Sequence, residues 1–195
     1  MIEKLSKYIP ENAVDLVHEM LLKHPLDIKI VSERATKHGD FKRTLKNKFQ
    51  ITINNNLNNY QFLLTLIHEI AHFVTFKQSS RVKPHGIEWK TNFQHLMLPF
   101  INPTIFPEDL LPPLASYLRN PKASTGSDVK LTYALKQYDE NSGKNFIFEL
   151  QQGSIFLFKD KTYKKGNKRR TRFECIEMNS KKTYLFNQNA EVETI

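Results

Sequence analysis

The run Tyr60–Phe76 constrains this chain more than any other stretch: seventeen residues without glycine or proline, apolar at helical spacing, with His68-Glu69-Ile70-Ala71-His72 set inside it. Such a run is a helix. Its aliphatic surroundings place it in a core, where two histidines and a glutamate leave costly unpaired polar groups unless something such as a metal ion satisfies them. Residues four apart lie on one helical face, so both imidazoles can reach a single ion. Glu69 leaves the helix beside His68, where its carboxylate addresses a water without ligating. Zinc lowers the pKa of a bound water to about 7. Glu69 then takes the proton and later delivers it to the leaving amine. The motif therefore predicts a zinc metallopeptidase holding one Zn2+, with His68 and His72 as ligands and Glu69 as the catalytic base that activates zinc-bound water against a peptide bond.

Catalytic zinc needs a third protein ligand and one open position. Cys175 is the only cysteine, which removes multi-cysteine sites and internal disulfides and leaves histidine and carboxylate as donors. The downstream candidates are His85, His95, Glu88 and Glu108. His85 is the preferred ligand, because it sits in Lys83-Pro84-His85-Gly86, a loop whose proline and glycine can fix an unusual backbone and aim the ring back at the first helix. Glu88 stays open as a carboxylate ligand. Trp89 reads as a packing anchor behind His85, and His18, His24 and His38 as surface or capping residues.

Around the central helix, apolar spacing predicts a first helix over 11–23 and strands over 26–31 and 49–53, with a turn or third strand near Gly39-Asp40-Phe41. A second long helix runs over 86–98 and ends at Pro99. Prolines at 103, 107, 112, 113 and 121 mark an irregular connection with one short helix over 110–118. Beyond it, short β-branched or aromatic runs at 131–138, 145–151, 154–159, 171–176 and 182–186 predict a small antiparallel sheet. The fold class is thus α+β: helices on a small sheet, then a β-rich C-terminal region. The domains expected are a catalytic core over 1–100, a proline-rich connection over 101–129 and a basic β-rich domain over 130–195. A hydrophobic share of 39% and a mean hydropathy of -0.51 argue against a membrane partner. The N-terminus lacks the apolar stretch of a secretory signal, so a cytoplasmic location is expected.

The series Ile51-Thr52-Ile53-Asn54, Leu66-Ile67-His68-Glu69-Ile70-Ala71-His72 and His85-Gly86-x-x-Trp89-Lys90 resembles the SprT-like metallopeptidases. The similarity covers about residues 10–100. It implies a zincin-like core, zinc dependence, His85 as third ligand through the His-Gly-x-x-aromatic element, and kinship with Spartan-type proteases that degrade proteins crosslinked to DNA. DNA is thereby an implied partner beside the protein substrate. The departure is at the other end: bacterial SprT proteins typically carry a C-terminal zinc ribbon built on cysteine pairs, and this chain has Cys175 alone. Its C-terminal domain would then be a cysteine-poor remnant of the ribbon, held by aromatic residues.

The net charge of +9 favours a polyanionic partner. Lys164, Lys165, Lys168, Arg169, Arg170 and Arg172 crowd around Gly166-Asn167, read as a hairpin tip. They can neutralise phosphates while nearby aromatics stack on bases; equally, they can form a solvated turn that guards an edge strand. A rival to the peptidase is a non-catalytic nucleic-acid-binding or transcription-associated protein with a structural zinc site. Glu69 separates the two, since a structural site needs no base beside its ligand.

Overall fold

A computed structural model of the chain describes residues 1–34, 36–44, 48–79, 81–140 and 143–195. Among them are six α-helices and two sheets, an α+β architecture. The chain divides into two compact units, Met1–Asp139 and Glu140–Ile195.

The first unit runs α1 (Ile2–Leu5), α2 (Val14–Lys23), β1 (Asp27–Val31), β2 (Gly39–Arg43), β3 (Phe49–Asn54), α3 (Asn59–Gln78), α4 (Ile87–Met97), α5 (Leu111–Leu118) and α6 (Val129–Lys136). Its sheet has the order β1-β3-β2, with β1 parallel and β2 antiparallel to β3. β3 is central because it is the strand whose residues are almost all buried, Ile51 and Ile53 completely. α3 starts at an N-cap, Asn58, whose side chain accepts from Gln61 N–H at 2.9 Å. Its phenylalanine, leucine and isoleucine side chains lie fully inside from Phe62 to Ile70, so the core wraps the helix.

The run 131–138, expected as a strand, is helical as far as Lys136 and then turns. Asp128 caps α6 by accepting from Leu131 N–H, and Leu131 and Leu135, one turn apart, are buried together in the first unit's core. The alternation of Leu131, Tyr133 and Leu135 imitated a strand, and the capped i, i+4 pair decided otherwise. α6 is tied to the start of α3: Asn58 Nδ2 donates to the Leu135 carbonyl and to the Asp139 carboxylate. The observed division therefore falls after α6, between Asp139 and Glu140.

The second unit is a six-stranded antiparallel sheet of β4 (Asn145–Phe146), β5 (Ile155–Phe158), β6 (Lys161–Arg169), β7 (Arg172–Glu177), β8 (Thr183–Asn187) and β9 (Glu191–Thr194), ordered β4-β9-β5-β6-β7-β8. Of 145–151 only the first two residues pair as a strand. β6 and β9 carry too many charges for apolar alternation to mark them as strands. Phe156, Tyr163, Phe173, Cys175, Phe186 and Val192 are among its core residues. Burial pushes the Cys175 thiol up to about 11, which makes it an inert core residue. Among the described residues no helix is long and apolar enough to cross a membrane.

Candidate metal centre

His68, Glu69 and His72 sit in the middle of α3, with His68 and Glu69 buried and His72 half-buried. His85 comes from the turn between α3 and α4. Its backbone lies in the left-handed region at φ 56°, a conformation a non-glycine residue holds only when its surroundings impose it. Gly86 follows as N-cap of α4. Trp89, one turn into α4, donates its Nε1–H to the His68 carbonyl at 3.4 Å and packs against all three imidazoles, with ring centroids at 4.6, 5.3 and 4.7 Å. Phe93 stacks behind it at 5.1 Å. Trp89 is thus the packing anchor its position predicted.

The three rings converge through one kind of atom. Nε2 of His72 lies 3.2 Å from Nε2 of His68 and 2.9 Å from Nε2 of His85, and the last two are 3.2 Å apart. No placement of ring protons satisfies this triangle, because among three atoms that each either donate or accept, at least one pair matches like with like. A cation at the centre removes the conflict by taking all three lone pairs. The spacing suits zinc, whose tetrahedral nitrogen ligands at 2.0–2.1 Å stand roughly 3.3 Å from one another. Burial, helped by the neighbouring rings, lowers His68 to about 2 and His72 to about 4, and burial lowers His85 as well. The rings are therefore neutral at physiological pH, the state a metal requires. His68, His72 and His85 are the histidine or acidic cluster among the described residues able to hold a metal ion. The other candidates, Glu88, His95 and Glu108, are exposed and outside it.

Glu69 stands apart from the triangle, against the edge strand β2. Burial and the Asp40 carboxylate raise it to about 8, opposed by Arg34, Lys37 and a hydrogen bond from the Phe41 backbone. The strand comes this close only because residue 39 is glycine: a Cβ there would meet Glu69 Oε1 at 2.6 Å and Thr65 Cγ2 at 2.7 Å. Arg34 secures the approach, donating to Asn54 Oδ1 and Thr52 Oγ1 on β3, each at 2.9 Å, while Asn54 Nδ2 donates to the Lys37 carbonyl.

The model of the SprT-like family matches residues 12–105. Over that stretch, a little under half of the chain, the sequence is similar to the SprT-like family. No curated protein and no solved structure matches it. The SprT-like segment contains the whole histidine cluster and Glu69, and it ends before α5 and α6. A cavity of about 290 Å³ opens beside Glu69, floored by Thr65, His68 and Glu69 of the SprT-like segment. One wall is residues 36–39; the other, residues 123–126, lies outside the matched stretch. Sequence reasoning placed neither wall. The spacing of Gln61, Thr65 and Glu69 along one face of an otherwise apolar helix was the available signal for the floor.

The basic residues of the second unit are not equivalent. The hairpin turns at Arg170-Thr171, and Gly166-Asn167 lie within β6, where the register shifts between Lys165 and Lys168. Gly166 presses on the Glu174 carbonyl, 2.8 Å from where a Cβ would stand. Lys165 is buried, its ammonium donating to the Leu150 carbonyl and lying 4.1 Å from the Phe173 ring centroid. Arg169 pairs with Glu174 at 2.9 Å. Lys164, Lys168, Arg170 and Arg172 are exposed.

Proposed function

We propose that this chain is a zinc-dependent endopeptidase of SprT-like type with a zincin-like core. The observation that carries the reading is the triangle of Nε2 atoms with a buried carboxylate, Glu69, one residue from the first ligand and outside the triangle. Zinc bound by His68, His72 and His85 would supply a Lewis acid that polarises the scissile carbonyl and acidifies water. Glu69 takes the proton of the attacking water and returns it to the leaving amine. Its neighbours suit both proton transfers, since Arg34 and Lys37 favour the charged base while burial and Asp40 favour the protonated acid. The β2 backbone holds the carboxylate, and Trp89 holds the three rings against rotation.

The test compares wild type, Glu69→Gln and His85→Ala for zinc content by elemental analysis and for cleavage of an unfolded protein. The expected result is one zinc in the first two and cleavage by wild type alone, with at least 100-fold loss in Glu69→Gln. A Glu69→Gln protein as active as wild type would overturn the reading and favour a structural metal site in a nucleic-acid-binding protein.

DNA-associated proteins are the proposed substrates, with Lys164, Lys168, Arg170 and Arg172 as the phosphate-binding side chains. Replacing these four by alanine should weaken DNA binding and flatten its salt dependence by about one logarithmic unit for each phosphate no longer neutralised. Unchanged affinity would remove DNA from the proposal.

A further inference from the structure

The cavity beside Glu69 has a second polar group besides the peptidase machinery. His38 lies on its wall, and Gln61 Nε2, which can only donate, stands 3.1 Å from His38 Nδ1. Nδ1 therefore accepts, and the ring proton sits on Nε2. That Nε2–H has no partner among the described residues and is not sealed from solvent. Burial lowers the pKa of the ring, so it stays neutral near pH 7.

The surroundings say what such a donor is for. Thr36 and Ser124 bring hydroxyls, Ala123 and Gly126 bring little bulk, and the cation of Lys37 is matched by Asp40 at 2.8 Å. Among the described residues no large apolar side chain lines the cavity. Asp139 and Glu33 act on His38 electrostatically, which disfavours a carboxylate beside it. Both walls are braced. Asn54 N–H donates to the His38 carbonyl at 2.9 Å, and the Thr125 carbonyl accepts from Asp128 N–H and Thr132 Oγ1 on α6. Gln61 precedes Glu69 by two turns of α3, about 12 Å. An extended chain advances about 3.3 Å per residue, so it would meet His38 within roughly three or four residues of the bond at Glu69.

We propose that this cavity is a substrate side-chain subsite that selects an uncharged polar residue, asparagine or glutamine foremost, through donation from His38 Nε2–H to its side-chain carbonyl. The proposal rests on the peptidase reading for the identity of the ligand as a peptide. The selecting donor, His38, lies within the SprT-like segment, and the facing wall, residues 123–126, lies outside it.

The test uses the full zinc-loaded chain and a peptide library varied one position at a time. Cleavage is read with wild type, and binding is read by fluorescence anisotropy with Glu69→Gln. The expected result is one position at which Asn or Gln is favoured at least tenfold over Leu, Glu and Lys in both assays. In a Glu69→Gln background, His38→Leu should shrink that ratio to within twofold at unchanged zinc content. His38→Gln, which keeps a donor, should restore part of it. Ser124→Trp should weaken binding of peptides with a side chain at that position more than those with glycine there. A preference seen in binding without any cleavage would support the subsite while sinking the peptidase reading. Absence of binding, absence of a polar preference, or a preference that survives His38→Leu would overturn the subsite.

Discussion

Gly39 and Glu69 depend on each other. The edge strand comes up against the carboxylate only because residue 39 has no Cβ, so Gly39→Val should displace Glu69. It should cost about 1–3 kcal/mol by overpacking and lower cleavage at least tenfold while zinc content stays at one; thermal melts, elemental analysis and a protein-cleavage assay would check it, and full activity would contradict it. Glu69 itself is held at about 8 mainly by burial, so its charged form works against the metal-free fold at neutral pH. Glu69→Gln should therefore raise the melting temperature of the metal-free protein by about 2–6 °C. A lower melting temperature would mean that the carboxylate stabilises the fold it burdens here. His68, His72 and Glu69 were legible in the sequence because a four-residue spacing on a helix is a local fact. His38 was not, because its role comes from Gln61, twenty-three residues away, and from a cavity wall still further on.

At the level of elements, α3 is fixed at its start by one side chain with three partners. Asn58 caps α3 through Gln61 N–H and holds α6 through Leu135 and Asp139. Asn58→Ala should destabilise the first unit by about 1–3 kcal/mol, measured by denaturant unfolding, and should speed amide exchange in α6 as well as at the head of α3; exchange confined to α3 would show that the tie to α6 is idle. In the second unit, Glu177 on β7 accepts from Ser180 Oγ at 2.8 Å and Lys161 Nζ at 3.2 Å, with its side chain 7% exposed. The Ser180 bond first, then Lys161 and Tyr184, hold its pKa below 4.5. A depressed carboxylate stabilises fully above its unfolded value, and that contribution is lost as pH falls from there through the folded value. Glu177→Gln should therefore be less stable than wild type at pH 6, and the gap should close as pH falls below about 4; a gap independent of pH would assign the loss to packing. Strand patterns misled at 131–138 because alternation and an i, i+4 pair coexist there, and only the partner surface chooses between them.

Across the whole molecule, the SprT-like segment ends before the first unit does. Leu110, Leu114 and Leu118 around α5, and Leu131 and Leu135 on α6, complete the same core as α3. A protein ending at residue 105 should lack a cooperative thermal transition and bind zinc weakly, whereas one ending at residue 139 should melt cooperatively and hold one zinc; equal behaviour of the two would mean that α5 and α6 are dispensable. By itself the sequence determined the central helix, the placing of His68, Glu69 and His72 together on it, and the α+β class, since each follows from periodicity or spacing along the chain. Tertiary structure alone decided that His85 completes the triangle rather than Glu88, His95 or Glu108, that Lys165 turns inward, and that residues 36–39 and 123–126 face each other across one cavity. Those outcomes depend on which distant surfaces meet, and the free energy that brings them together comes from burying a shared core, which no local pattern encodes.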